Sequence, residues 1–315
     1  MTSNIKHQTS NSVDLSVDLG RGLRLLNPVM TASGTFGYGE EASEYFDISR
    51  LGAVVVKGIS LEPRQGNPPP RIVETPSGML NSIGLQNVGL EAFISDKMPF
   101  LKDAGARVIV NVLGSSVEEY ARVCERLDSV KGVLALEINI SCPNVKEGGV
   151  AFGMKENLAA GLIKVLRKVT DKHLMVKLTP NCGHISNVAL AVEEAGADSV
   201  SLINTITGME IDVITRRPVL GSVVGGLSGP AIRPVALRMV YEVFKAVKIP
   251  VVGIGGIMEG EHALQFLIAG ASAVQVGTAI FADPLAPLKI VESLDNHLQR
   301  EGTSVRELVG SLRLP

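Results

Sequence analysis

Eight short apolar, β-branched runs, separated by amphipathic stretches, restrict the fold of this chain more than any other feature. The runs are Pro28–Ala32, Ala53–Val56, Arg107–Val112, Leu134–Ile140, Leu174–Leu178, Asp198–Ile203, Pro250–Ile254 and Ser272–Val276. Each has the length of a buried parallel strand and lacks the alternation of a half-exposed one. Between them lie helical patterns: Glu118–Leu127, Glu156–Val169, Ile185–Ala195, Pro230–Val247 and Glu259–Ala269. Two of these end at Gly196 and Gly270, each followed by a small residue and the next strand, as a C′ glycine requires. Eight strands and roughly eight crossovers in 315 residues predict an α/β fold, a (β/α)8 TIM barrel.

The rival is an open doubly wound sheet, which would carry a dinucleotide fingerprint. The nearest candidate, Gly37-Tyr38-Gly39-Glu40-Glu41-Ala42, has the spacing, but the next strand ends in Lys57 where a ribose-binding acid should stand. The segment is therefore read as a decoy. Val13–Leu19 and Leu23–Leu26 flank Gly20-Arg21-Gly22, predicting a hairpin that plugs the lower end of the barrel. The connections Gly58–Leu90 and Asn204–Gly229 are long and fall on the C-terminal side of their strands, where lids and substrate walls are built. The domain expectation is a flexible polar tail over residues 1–12 and a single barrel domain over 13–315.

Composition excludes several function classes. Thirty Lys+Arg against 32 Asp+Glu leave a net charge of −2 with no basic cluster, which disfavours nucleic acid. Trp is absent and aromatics make up 4%, a poor base-stacking surface. No apolar run approaches the roughly 20 residues of a membrane span, and Met1–Ser12 has no signal-peptide core. Three scattered cysteines, Cys124, Cys142 and Cys182, without a C-x-x-C, predict a reduced, cytoplasmic chain with neither zinc nor an iron–sulfur cluster of its own.

In a barrel the chemistry belongs at the C-terminal ends of the strands. Those ends carry Ser33, Lys57, Asn111, Asn139, Lys177, Asn204, Gly255-Gly256 and Gly277-Thr278. A core strand needs no polar terminus, so six amide, amine or hydroxyl side chains in succession mark a site. Lys57 and Lys177 each close an apolar run, and two partly buried cations call for an anion. The glycines after strands seven and eight occupy the position of the recurrent barrel phosphate site, where backbone N–H groups meet phosphate oxygens. Together they suggest a phosphorylated cofactor across the barrel mouth.

Cys142 follows strand four in Asn139-Ile140-Ser141-Cys142-Pro143-Asn144, with Gly148, Gly149 and Gly153 making a lid-like loop. A thiol there can act as nucleophile or, as thiolate, as general base. Cys124 forms a helical stripe with Tyr120 and Leu127 and reads as core. Cys182 with His184 is the competing Cys/His pair. No histidine ends a strand, and His173, just before strand five, reads as surface. Carboxylates are missing from the strand ends, which counts against metal-dependent and glycosidase barrels, so no metal is expected. Amides, lysines, a thiol and a phosphate cradle suit redox chemistry on a flat, polar, anionic ring.

These segments resemble class 1 dihydroorotate dehydrogenases, and most of all the catalytic subunit of the class 1B, NAD-linked branch. The likeness is carried from about Val13 to the C-terminus by Ala32-Ser33-Gly34-Thr35-Phe36-Gly37, Val56-Lys57-Gly58, Asn81-Ser82-Ile83-Gly84-Leu85-Gln86-Asn87, Ile138-Asn139-Ile140-Ser141-Cys142-Pro143-Asn144, Val176-Lys177-Leu178, Ile203-Asn204-Thr205 and Gly225-Gly226-Leu227-Ser228-Gly229-Pro230. The resemblance implies an FMN-binding barrel that oxidises (S)-dihydroorotate to orotate in pyrimidine biosynthesis. It implies FMN contacts from Ala32, Ser33, Lys57, Gly58, Asn111, Asn139, Lys177, Ile203, Gly229, Gly255, Gly256, Gly277 and Thr278. It implies substrate contacts from Lys57, Asn81, Ser82, Ile83, Gly84, Leu85, Asn139, Asn144, Asn204 and Thr205. Asn amides offer the donor and acceptor that a pyrimidinedione edge needs.

By the same resemblance Cys142 is the base for the C5 proton while the C6 hydride goes to flavin N5. The 1B branch implies a partner subunit carrying FAD and a [2Fe-2S] cluster, NAD+ as acceptor, and a homodimeric core within a heterotetramer. The alternatives are the fumarate-linked, homodimeric class 1A, a non-redox phosphate-binding barrel lyase or isomerase, and a tRNA-dihydrouridine synthase, whose chain should be more basic.

Overall fold

The computed structural model describes residues 13–141, 143–144 and 150–315; of 143, 144 and 150 only the backbone is described. Eight parallel strands form its centre: β1 (Val29–Thr31), β2 (Val54–Ile59), β3 (Val108–Val112), β4 (Val133–Asn139), β5 (His173–Lys177), β6 (Ser199–Leu202), β7 (Val251–Ile254) and β8 (Ala273–Val276). Each of the eight predicted runs contains or overlaps one of them. Along the sheet every strand lies beside its neighbour in sequence, and β8 pairs with β1. A parallel bridge between Met30 and Ala53 joins β1 to β2 and closes the ring. Such closure leaves no sheet edge, which is why every β3 and β5 position is buried and why these runs show no alternation.

The principal helices are α1 (Val117–Asp128), α2 (Glu156–Leu166), α3 (Ile185–Glu194), α4 (Arg233–Ala246), α5 (Gly260–Ala269) and α6 (Ala286–Glu301). In α1, Ser116 caps the N-terminus by accepting from the Glu119 N–H, and Tyr120, Val123, Cys124 and Leu127 form its buried face. The start of the Pro230–Val247 pattern is a separate 3-10 turn, Pro230–Ile232, because Pro234 suits a second helical start at Arg233. Helix α5 ends at Gly270, whose φ of +118° only glycine adopts without strain.

The predicted hairpin pairs Val17–Asp18 with Arg24–Leu25. It closes the lower end of the barrel: Leu19, Leu23 and Leu25 are buried, and Arg21 reaches Asp198 at 2.6 Å. His173 departs from its expected surface position. It is 2% exposed, the first residue of β5, held between the hairpin carbonyl of Gly20 and the Ser199 hydroxyl. The apolar context of β5 begins one residue earlier than its chemistry suggests.

The two long connections do not stand apart. Ile72–Thr75, Gly78–Asn81, Gly225–Ser228 and Ile206–Gly208 pair into one four-stranded antiparallel sheet over the mouth. The strands approach so closely that a Cβ on Gly78 would lie 2.0 Å from the Ser228 carbonyl oxygen.

Candidate active site

A cavity of about 770 Å³ opens at the C-terminal end of the barrel, beneath this sheet, within the size range of cofactor and substrate sites. Every sequence-predicted site residue whose side chain is described lines it: the cofactor set from Ala32 to Thr278, Asn81 through Leu85, Asn204 and Thr205. The ends of all eight strands are represented, so residues as far apart in sequence as Ala32 and Thr278 share one space because closure of the ring brings the strand ends together. Cys142 lies outside the described residues; its neighbour Ser141 lines the cavity. Asn144 belongs to a short backbone pair with Val150, and its side chain is likewise outside the described residues.

The lysines differ in setting from what their sequence positions suggest. Lys57 does not end its strand: β2 continues to Ile59 with a register irregularity after Val56, which puts Lys57 at a break in the ladder. Its side chain is half-buried; burial, and then the nearby Arg71 charge, hold its pKa below the ordinary lysine value. Lys177 does end β5, but it is not a cation in want of an anion. Its Nζ donates to Ser33 Oγ at 3.2 Å and lies 3.7 Å from Glu137 Oε2.

The amides are oriented by their neighbours. Asn111 donates its Nδ2 to Glu137 at 2.6 Å, so Oδ1 is the atom left for the cavity. Asn139 does the reverse. Its Oδ1 accepts from the Ser141 N–H and from Asn204 Nδ2, leaving Nδ2 as the available donor. Asn204 is engaged at both ends, with Nδ2 on Ser141 Oγ at 2.9 Å and Oδ1 accepting from the Thr205 N–H. It therefore holds the wall rather than presenting a free amide. A cavity floor with one carbonyl and one NH2 facing inward complements a planar heterocycle that carries both N–H and C=O.

At the opposite end, the N–H groups of Gly255, Gly256, Gly277 and Thr278 have no backbone acceptor among the described residues. Gly256, at φ +69°, packs so tightly that a Cβ would stand 2.7 Å from Arg233 Cβ. Thr278 Oγ1 donates to Ser228 Oγ, and so ties this loop to the covering sheet. Unpaired backbone donors beside side-chain-free positions form an anion cradle. Within the Asn81–Leu85 segment, the Ser82 hydroxyl is buried without a hydrogen-bond partner.

The competing Cys/His pair forms no comparable site. Cys182 donates its thiol to the Thr179 carbonyl, and burial raises its pKa. Cys124 is wholly buried in α1, with its thiol pKa pushed far up by burial. The decoy segment opens only the short helix Glu40–Ser43 from Gly39. Sequence reasoning missed Glu137, a fully buried carboxylate within β4, and also Thr179 and Asn181, which line the cavity from the loop after β5. The signal for Glu137 was available: a charge inside an apolar run, two residues before Asn139 and so on the same strand face.

No helix among the described residues is long and apolar enough to cross a membrane. The family model described as Dihydroorotate dehydrogenase matches residues 16–298. Among curated proteins the chain is 55% identical over 300 residues to "Dihydroorotate dehydrogenase B (NAD(+)), catalytic subunit" of Geotalea uraniireducens, covering 95% of this chain and 98% of that one. It is 56% identical over 302 residues to the proteins of the same description from Geobacter metallireducens and Geobacter sulfurreducens, covering 96% of this chain and 99% of each. With this cavity and these similarities, the chain belongs to the dihydroorotate dehydrogenase family.

Proposed function

We propose that this chain oxidises (S)-dihydroorotate to orotate in pyrimidine biosynthesis, with FMN in its barrel, and passes the electrons through a partner subunit to NAD+. The observation that carries the chemistry is the single cavity into which eight strand ends deliver lysines, amides and an anion cradle. The NAD+ branch rests on the name shared by relatives matched over nearly their whole length.

The residues present fit FMN. Unpaired N–H groups at Gly255, Gly256, Gly277 and Thr278 suit its phosphate, while Ala32, Ser33, Gly58, Ile203 and Gly229 line the remaining wall. Asn111 Oδ1 and Asn139 Nδ2 offer an acceptor and a donor to ring edges, and the Lys177 ammonium offsets negative charge there. When bound, FMN supplies the hydride acceptor for substrate C6.

Substrate is held by Lys57, which neutralises its carboxylate, and by the Asn81–Leu85 loop with Asn139, Asn144 and Thr205, while Asn204 positions that wall through Ser141 and Asn139. The Cys142 thiolate removes the C5 proton. The covering sheet excludes water from this step. The description of the relatives as a catalytic subunit supports electrons leaving through a separate subunit, which would bear FAD and a [2Fe-2S] cluster, around a homodimeric core of this chain. The reaction sits in the cytoplasm.

The test is a visible spectrum followed by turnover. The purified chain is expected to be yellow, to reduce its flavin with dihydroorotate, and to reduce NAD+ only with the electron-transfer subunit present. A colourless protein that binds no FMN overturns the reading. Fast fumarate turnover by the chain alone overturns the NAD+ branch and favours the 1A type.

A further inference from the structure

Glu137 is wholly buried inside the barrel, and the proposed reaction makes no use of it. Its two oxygens gather donors from four other strands. Oε2 accepts from Asn111 on β3 at 2.6 Å and lies 3.7 Å from the Lys177 ammonium on β5. Oε1 accepts from Ser201 on β6 at 2.9 Å and from Gln275 on β8 at 2.6 Å. Gln275 commits its Nε2 to this carboxylate even though its own Oε1 is left buried and unpartnered. Side chains of Glu137 and Lys177 are 0% and 6% exposed, so water screens the pair little.

We propose that Glu137 is the charge-balancing and positioning residue of the flavin site. Its carboxylate offsets the Lys177 ammonium and turns the Asn111 amide so that Oδ1 faces the ring. The inference rests on the reading of the cavity as an FMN site. An uncompensated Lys177 would favour a reduced ring carrying negative charge; the opposing carboxylate limits that preference and holds the reduction potential down. A carboxylate serving only to fill space or join strands would have no such signed effect.

The experiment compares the midpoint potential of bound FMN, by dye equilibration at one pH, in the wild-type chain, Glu137→Gln, Lys177→Gln and the double variant. Glu137→Gln is expected to shift the ratio of reduced to oxidised FMN affinity at least tenfold toward the reduced form. For a two-electron couple that is about 30 mV upward. Lys177→Gln is expected to move the potential down, and the double variant to lie between the two. An unchanged or lowered potential in Glu137→Gln, or shifts of the same sign in both single variants, overturns the proposal.

Should Glu137→Gln fold without retaining flavin, its FMN Kd is compared with that of the double variant. Charge balance requires at least tenfold recovery on removing Lys177 as well, and no recovery overturns it. A wild-type chain that binds no FMN overturns the parent reading instead, so the two failures are distinct.

Discussion

His173 Nε2 stands 2.7 Å from Ser199 Oγ at the closed end of the barrel, while its Nδ1 lies 3.0 Å from the Gly20 carbonyl oxygen. A carbonyl only accepts, so Nδ1 carries a proton, and in the neutral ring Nε2 accepts from the serine. Burial, the largest cause, holds the His173 pKa below its ordinary value, although the Asp198 charge opposes it. The unfolded chain therefore binds a proton near pH 6.5 that the folded chain refuses. Stability from this residue is present above that pH and lost as pH falls through the folded value. The unfolding midpoint should drop on acidification from pH 7 to 5. His173→Leu should flatten that limb and cost about 1–3 kcal/mol by leaving the buried Ser199 hydroxyl without its partner. An equally steep acid limb in the variant would show that other groups carry it.

At the open end the sign concerns binding. Lys57 is held below the usual lysine value by burial, with Arg71 adding to the effect. It loses its charge as pH rises through that lowered value, so orotate should bind more weakly with increasing pH in the alkaline range. Titration in a Cys142→Ser background removes the thiol's own ionisation from the curve. Lys57→Gln should weaken orotate by about tenfold to a hundredfold, the worth of one charge-assisted hydrogen bond, and abolish that limb. Retained pH dependence in the variant would move the effect to another group.

Cys142→Ser should keep FMN and its colour while losing about a hundredfold or more of its turnover near neutrality, the range of general-base contributions. An ordinary thiol has a pKa of about 8.5, so wild-type activity should climb between pH 6 and 9. Turnover like that of the wild type in the serine variant would remove the base assignment.

Gly256 tests the cradle. Alanine there meets Arg233 Cβ at 2.7 Å and the Gly229 carbonyl oxygen at 2.8 Å, at a φ of +69°. The substitution should cost about 1–3 kcal/mol of stability and weaken FMN at least tenfold. Fluorescence titration of the flavin-stripped chain measures the second effect. Unchanged FMN affinity would place the phosphate elsewhere.

Much of the barrel was legible because strands buried on both faces cannot alternate, and their length and spacing survive as continuous apolar runs. The strand-end residues were legible for the same reason, since a polar group closing such a run has only the mouth to face. Lys177 shows where this stopped. Its position was correct, but its need for an anion was misjudged, because Glu137 lies forty residues away in sequence and 3.7 Å away in space. His173 was misplaced on the surface for a related reason: the hairpin that buries it begins more than 150 residues earlier.

By itself, then, the sequence determined eight buried strands, their order and the chemical character of their ends, since local periodicity and turn chemistry are written residue by residue. Only the tertiary structure decided which way each amide points, what offsets each lysine, and that two distant connections pair into one covering sheet. Those depend on side chains from non-adjacent strands meeting at hydrogen-bond distance, and closure of the ring is what brings them there.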